Sequence, residues 1–79
     1  MVRKGNKLEV VYITFTVPHL YSEDEKFAIK CHGMEQATEV GSDAYSLDGI
    51  INVRLRKSGK PKGRRILSYD EYWKFDKWL

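Results

Sequence analysis

The sequence predicts an α+β domain, an antiparallel sheet of three to four strands with a C-terminal helix packed on one face. Three observations carry this expectation. Leu8 to Val17 is a run of β-branched and aromatic residues with a period of two. Ile50 to Arg56 alternates in the same way. Ser68 and Glu71 then have the spacing of a capping box at the head of an aromatic-rich segment, which opens a helix. The chain has 79 residues, room for a single domain over 1–79 that buries only about 60% of its extended-chain surface.

The first strand sends Val11, Ile13, Phe15 and Val17 to one face and Val10, Tyr12, Thr14 and Thr16 to the other, and Pro18 ends it. It reads as a central strand. Residues 22–33 carry conflicting signals. Ser22 with Glu25, and Gly33 at the far end, suit a short helix, whereas Phe27, Ile29 and Cys31 alternate as in a strand. A long first strand needs a partner, which favours a strand over 26–32. Residues 34–48, with Gly41-Ser42-Asp43 and Asp48-Gly49, read as loops around at most a short element.

In the next strand Ile51, Val53 and Leu55 form a core face, and Asn52, Arg54 and Arg56 an opposite, basic one. The segment "KSGKPKG" supplies Gly59, Pro61 and Gly63 for a hairpin turn, from which Arg64 to Leu67 returns as a short strand. Leu67 and Tyr72 occupy the positions of a hydrophobic staple around the helix start. Tyr69, Tyr72, Trp73, Phe75 and Leu79 fall on one broad side of that helix, with Trp73 expected in the core and Trp78 well off the stripe.

Residues 53–79, a basic strand, a Gly/Lys/Pro turn, "RRILS" and an aromatic helix, resemble the closing strand, hairpin and helix of the PC4-type single-stranded-DNA-binding fold. They resemble equally the strand, "GK" turn, strand and helix of AP2-type DNA-binding domains. Two unrelated folds share the pattern, so the likeness implies a hairpin packed on a helix and contact with DNA, and assigns no family.

The charge is polarised. The net +3 conceals a stretch, residues 49–69, with seven cations and no acid, and another, residues 20–48, with seven acids and two cations. Locally unpaired cations repel one another, and a polyanion relieves that repulsion while releasing its own counterions. Arg54, Arg56, Lys57, Lys60, Lys62, Arg64 and Arg65 are therefore the candidate phosphate contacts of a basic hairpin spanning 54–65. DNA or RNA is the expected partner. The alternative is a phage- or mobile-element-type accessory protein or inhibitor. Its basic hairpin would meet an acidic patch on a host protein, with Trp78 or Tyr45 anchoring the contact, and a homodimer is a further assembly to consider. Edge-strand protection accounts for surface Lys and Arg as well.

Catalysis is not expected. His19, Cys31 and His32 are the only soft ligands or nucleophile and base, without the spacing of a zinc site, and adjacent Cys31 and His32 point to opposite faces of a strand. A buried Cys31 and a solvent-facing His32 are expected instead. "EDEK" contains an Asp-x-Lys fragment but no upstream acid, and "GKPKG" lacks the spacing of a phosphate loop. No cofactor or metal is expected. One unpaired cysteine suits a reducing compartment, the cytoplasm. The basic start and apolar run of residues 1–17 imitate a signal peptide, but Glu9 and the threonines interrupt the run, which is too short to span a membrane.

Overall fold

A computed structural model of the chain describes residues 9–74. The elements run β1 (Val10–Val17), β2 (Glu25–His32), α1 (Met34–Ser46), β3 (Ile51–Arg56), β4 (Arg65–Ser68) and α2 (Tyr69–Lys74). The four strands form one sheet in the order β3-β1-β2-β4. β1 pairs antiparallel with β2 and with β3, and β2 pairs parallel with β4, so the sheet is mixed. This is the α+β class that the sequence implies, with a helix laid on one face.

The register explains the core. Val11 faces Cys31, Ile13 faces Ile29 and Phe15 faces Phe27 across the β1–β2 pair, which makes one apolar surface from two alternating strands. Ala37, Val40 and Ala44 of α1, together with Ile50, Leu67 and Tyr72, complete the buried cluster. Cys31 is fully buried and His32 exposed, as the alternation predicts.

The segment expected to be loop is the thirteen-residue helix α1. Its buried stripe is short of large side chains, and Gly33 at its start offers no capping side chain, so the usual start signal and much of the usual apolar signal are missing. Small residues at those positions let the helix approach the sheet closely. The backbone satisfies its own start instead: Gly33 N–H donates to the Glu9 carbonyl at 2.8 Å, and Ala37 N–H donates to the Gly33 carbonyl at 3.2 Å. Gly33 sits at φ 97°, a conformation that disfavours any side chain.

The alternation of β3 is interrupted. Thr14 pairs with Arg54 and Thr16 with Ile51, so two residues of β3 oppose Phe15 of β1 in a bulge. Asn52 takes φ 59° there, a left-handed conformation that Asn tolerates better than most residues. The bulge reverses the phase, so Ile50 is buried in the core while Ile51, expected there, is exposed.

At the C-terminal end the capping box forms reciprocally. Ser68 N–H donates to Glu71 Oε1 at 2.8 Å, and Glu71 N–H donates to Ser68 Oγ at 3.1 Å. Two phenols of α2 then clasp two acids one turn apart on α1. Tyr72 donates to Asp43 Oδ2 at 2.6 Å, and Tyr69 donates to Glu39. Tyr72 is 1% exposed and Trp73 is 44% exposed, so Tyr72 takes the core position expected for Trp73. The Trp73 ring lies outside it, edge-on to Tyr69 and Tyr72.

Burial pushes the Cys31 thiol up to about 11 from its usual 9.0. Burial, then the Asp43 hydrogen bond, pushes the Tyr72 phenol above its usual value. Both groups are held neutral in the folded state, so the unfolded chain loses these protons first. The Cys31 contribution is complete below about pH 9 and is lost as pH rises through about 11, whereas that of Tyr72 starts to decline only above its usual 10.0. The urea midpoint should therefore fall between pH 8 and pH 10.5, and Cys31→Ala should flatten the decline over that interval; a decline of the same steepness in Cys31→Ala would contradict this assignment.

Candidate nucleic-acid interface

The basic stretch is not a hairpin. β3 and β4 occupy opposite edges of the sheet and run parallel to each other, so residues 57–64 connect them as a crossover. That is the largest correction to the sequence-based picture, and it also removes the hairpin on which the PC4-type and AP2-type likenesses rest. Arg56 ends β3 at the level of Tyr12, and Arg65 begins β4 at the level of Phe27 and Phe15. The connection spans three strand spacings sideways and about three residues lengthwise, roughly 17 Å on the diagonal. Eight residues reach that distance without being fully stretched.

Crossovers between parallel strands are right-handed in nearly all proteins. The β2–α1–β3 crossover puts α1 over the core face, so the β3–β4 crossover, which moves back across the sheet, passes over the other face. Burial agrees. On that face Ala28 is 0% exposed and Tyr12 6%, Thr14 and Thr16 are buried too, and Pro61 of the crossover is itself buried. The segment is a strap across the second face of the sheet.

Arg64 anchors the strap. Its Nη1 donates to the main-chain carbonyls of Phe15 at 3.1 Å and Phe27 at 3.3 Å, in the two central strands. A half-buried guanidinium used in this way is a structural tie. Replacing Arg64 by Ala should cost about 1.5–3 kcal/mol in urea unfolding, the usual value of hydrogen bonds to a charged group; a cost near zero would show the tie to be idle. Arg65 lies over the Phe27 ring at 5.8 Å and so faces the core side at the β4 edge. The other five predicted contacts, Arg54 and Arg56 on β3 and Lys57, Lys60 and Lys62 on the strap, are exposed.

Two cations that the charge run did not reveal join them. Lys26 pairs with Thr16 and Lys30 with Tyr12, so both project from the same face as Arg54, which pairs with Thr14, and Arg56, which pairs with Tyr12. The signal was available in β2, where Lys26 and Lys30 alternate with Phe27, Ile29 and Cys31. No strand residue of that face is an acid. Glu35, Glu39, Asp43, Asp70 and Glu71 lie on the helices, and Glu23 and Asp24 in the β1–β2 loop. Glu9 precedes β1, Glu25 starts β2 opposite Val17, and Asp48 follows α1, so the strand residues of the strap face carry cations without acids while five acids sit on the two helices. Among the described residues the ion pair is His19 with Glu25, at 3.1 Å. Lys26, Lys30, Arg54, Arg56, Lys57, Lys60 and Lys62 have no such partner there.

Tyr45 is 82% exposed on α1 and shares a groove with Arg54 of β3. The groove is open, has a volume of about 360 Å³ between α1 and edge strand β3, and is lined also by Met34, Ala37, Gly41, Val53 and Leu55. Trp78 lies outside the described residues. No described helix is long and apolar enough to cross a membrane, and among the described residues no three His, Cys, Asp or Glu side chains gather as a metal site would require. Comparison of the chain with protein-family models, with curated proteins and with solved structures finds no match in any of the three.

Proposed function

We propose that this protein is a non-enzymatic nucleic-acid-binding module whose strap face holds phosphates. The observation that carries the proposal is the convergence of Lys26, Lys30, Arg54 and Arg56, from strands that carry no acid on that face, with Lys57, Lys60 and Lys62 of the strap. Such a surface concentrates like charge that a polyanion neutralises, and counterion release supplies the driving force. Phosphate contacts of this kind fix position and carry little sequence information. A reducing compartment such as the cytoplasm is the proposed setting, from the single buried cysteine.

The test is a salt titration of the unmodified protein against labelled nucleic acid. About four to six contacts should make log affinity fall linearly with log salt, a loss of roughly 10²–10³-fold between 50 and 200 mM. No detectable affinity for DNA or RNA at about 50 mM salt, where such binding is strongest, would sink the proposal. It would promote an accessory or inhibitory role on a host protein, with Tyr45 and the groove beside it as the anchor.

A further inference from the structure

Resting on that assignment, we infer that the ligand of the strap face is a double helix rather than a single strand. Two features point there. The first is where the aromatic side chains lie. Single-strand binders earn much of their affinity by stacking bases on exposed rings, about 1–3 kcal/mol per base. Here Tyr12, the aromatic residue that the register puts on the strap face, is sealed at 6% exposure. Among the described residues the exposed rings lie off the strands: Tyr21 in the β1–β2 loop, Tyr45 on α1 and Trp73 on α2. Among the described residues, unstacked bases laid on the strands of that face would find cations and no exposed ring.

The second feature is the layout of charge. Arg54 and Arg56 form one row along β3, Lys26 and Lys30 form another along β2, and β1 separates them. Two strand spacings put the rows about 10 Å apart, with the strap lysines 57, 60 and 62 on the segment that crosses between them. That separation is comparable with the roughly 12 Å width of the major groove of a duplex, whose two edges are lines of phosphate. A duplex presents both lines at once, with its bases turned inward. It also carries a denser condensed counterion layer than a single strand, which gives about 0.9 against 0.7 counterions released per contact.

Duplex RNA shares the paired lines of phosphate but has a deep, narrow major groove, so the spacing favours duplex DNA and the test separates the two. Fluorescence anisotropy at about 100 mM salt compares a two-turn DNA duplex, a two-turn RNA duplex and an unstructured oligothymidine of equal length. At least one duplex should bind roughly tenfold or more tighter than the single strand, and scrambling its sequence should change affinity by less than about threefold, because phosphates carry no sequence. Tyr21→Ala and Tyr45→Ala should leave every affinity unchanged. A single strand that binds as tightly as both duplexes, or a tenfold loss in either tyrosine variant, overturns the inference and leaves phosphate binding in place. Failure of all three ligands to bind overturns the proposed function with it.

Discussion

Tyr72→Ala is expected to give a chain that no longer folds cooperatively at 25 °C. Tyr72 is 1% exposed, its ring lies edge-on to Phe15 at 6.2 Å between centroids, and its hydroxyl ties α2 to Asp43 of α1. Truncating a buried aromatic costs about 3–5 kcal/mol. A domain of this size has only roughly 4–12 kcal/mol in total, from about 0.05–0.15 kcal/mol per residue. Tyr72→Phe separates the two contributions. It keeps the ring and strands the Asp43 carboxylate, at a cost of about 1–3 kcal/mol. Trp73→Ala should cost less than Tyr72→Ala, because half of that ring already faces water. Circular dichroism during urea unfolding of the three variants measures the order. A Trp73→Ala variant as unstable as Tyr72→Ala would show that α2 is rotated from the phase described above.

The second large effect is on binding. The combined variant Arg54→Ala, Arg56→Ala, Lys57→Ala, Lys60→Ala and Lys62→Ala should lose nucleic-acid affinity by more than about 10²-fold at 100 mM salt, with its residual salt slope reduced to near that of two contacts. All five side chains are exposed, so its circular dichroism spectrum and urea midpoint should stay near those of the parent, and removing mutual repulsion favours a small gain in stability. Arg64 is left in place because it ties the strap to the sheet. Lys74→Ala, on α2 with Asp70 and Glu71, serves as the control and should bind normally. Retention of binding within about threefold in the combined variant, against the loss that counterion release requires, would remove the strap face as the site.

The strands were legible in the sequence because their cause is local. Leu8 to Val17, residues 26–32 and Ile50 to Arg56 each alternate, and Ser68 with Glu71 marked the start of α2 within a residue. α1 was not legible, since Ala37, Gly41 and Ala44 carry so little of the apolar signal that marks a helix face. Gly59, Pro61 and Gly63 say that the chain bends, and nothing in them says where it goes afterwards. Sheet order is decided by pairings between residues far apart, so the same turn chemistry served a strap instead of a hairpin. The site was half legible for the same reason. Seven cations were visible as a run, but the contributions of Lys26 and Lys30, and the withdrawal of Arg64 and Arg65, depend on the path of the strap and the pairing of β2. Ile51 was misplaced by one bulge, and Trp73 by one step of helix phase.

The parallel β2–β4 pair also has a consequence for the order of folding events. The β1–β2 hairpin closes over the seven residues 18–24, whereas the β2–β4 pair joins residues 27–30 to residues 65–68, and Tyr72 reaches Phe15 across most of the chain. Short loops close first, because long-range contacts must overcome chain entropy before they repay it. The hairpin, α1 and β3 should then form the nucleus, and β4 with α2 should dock after the rate-limiting step. Tyr72→Phe, which keeps the fold, would accordingly speed unfolding and leave the refolding rate nearly unchanged, while conservative truncations at Ile13 or Ile29 would slow refolding.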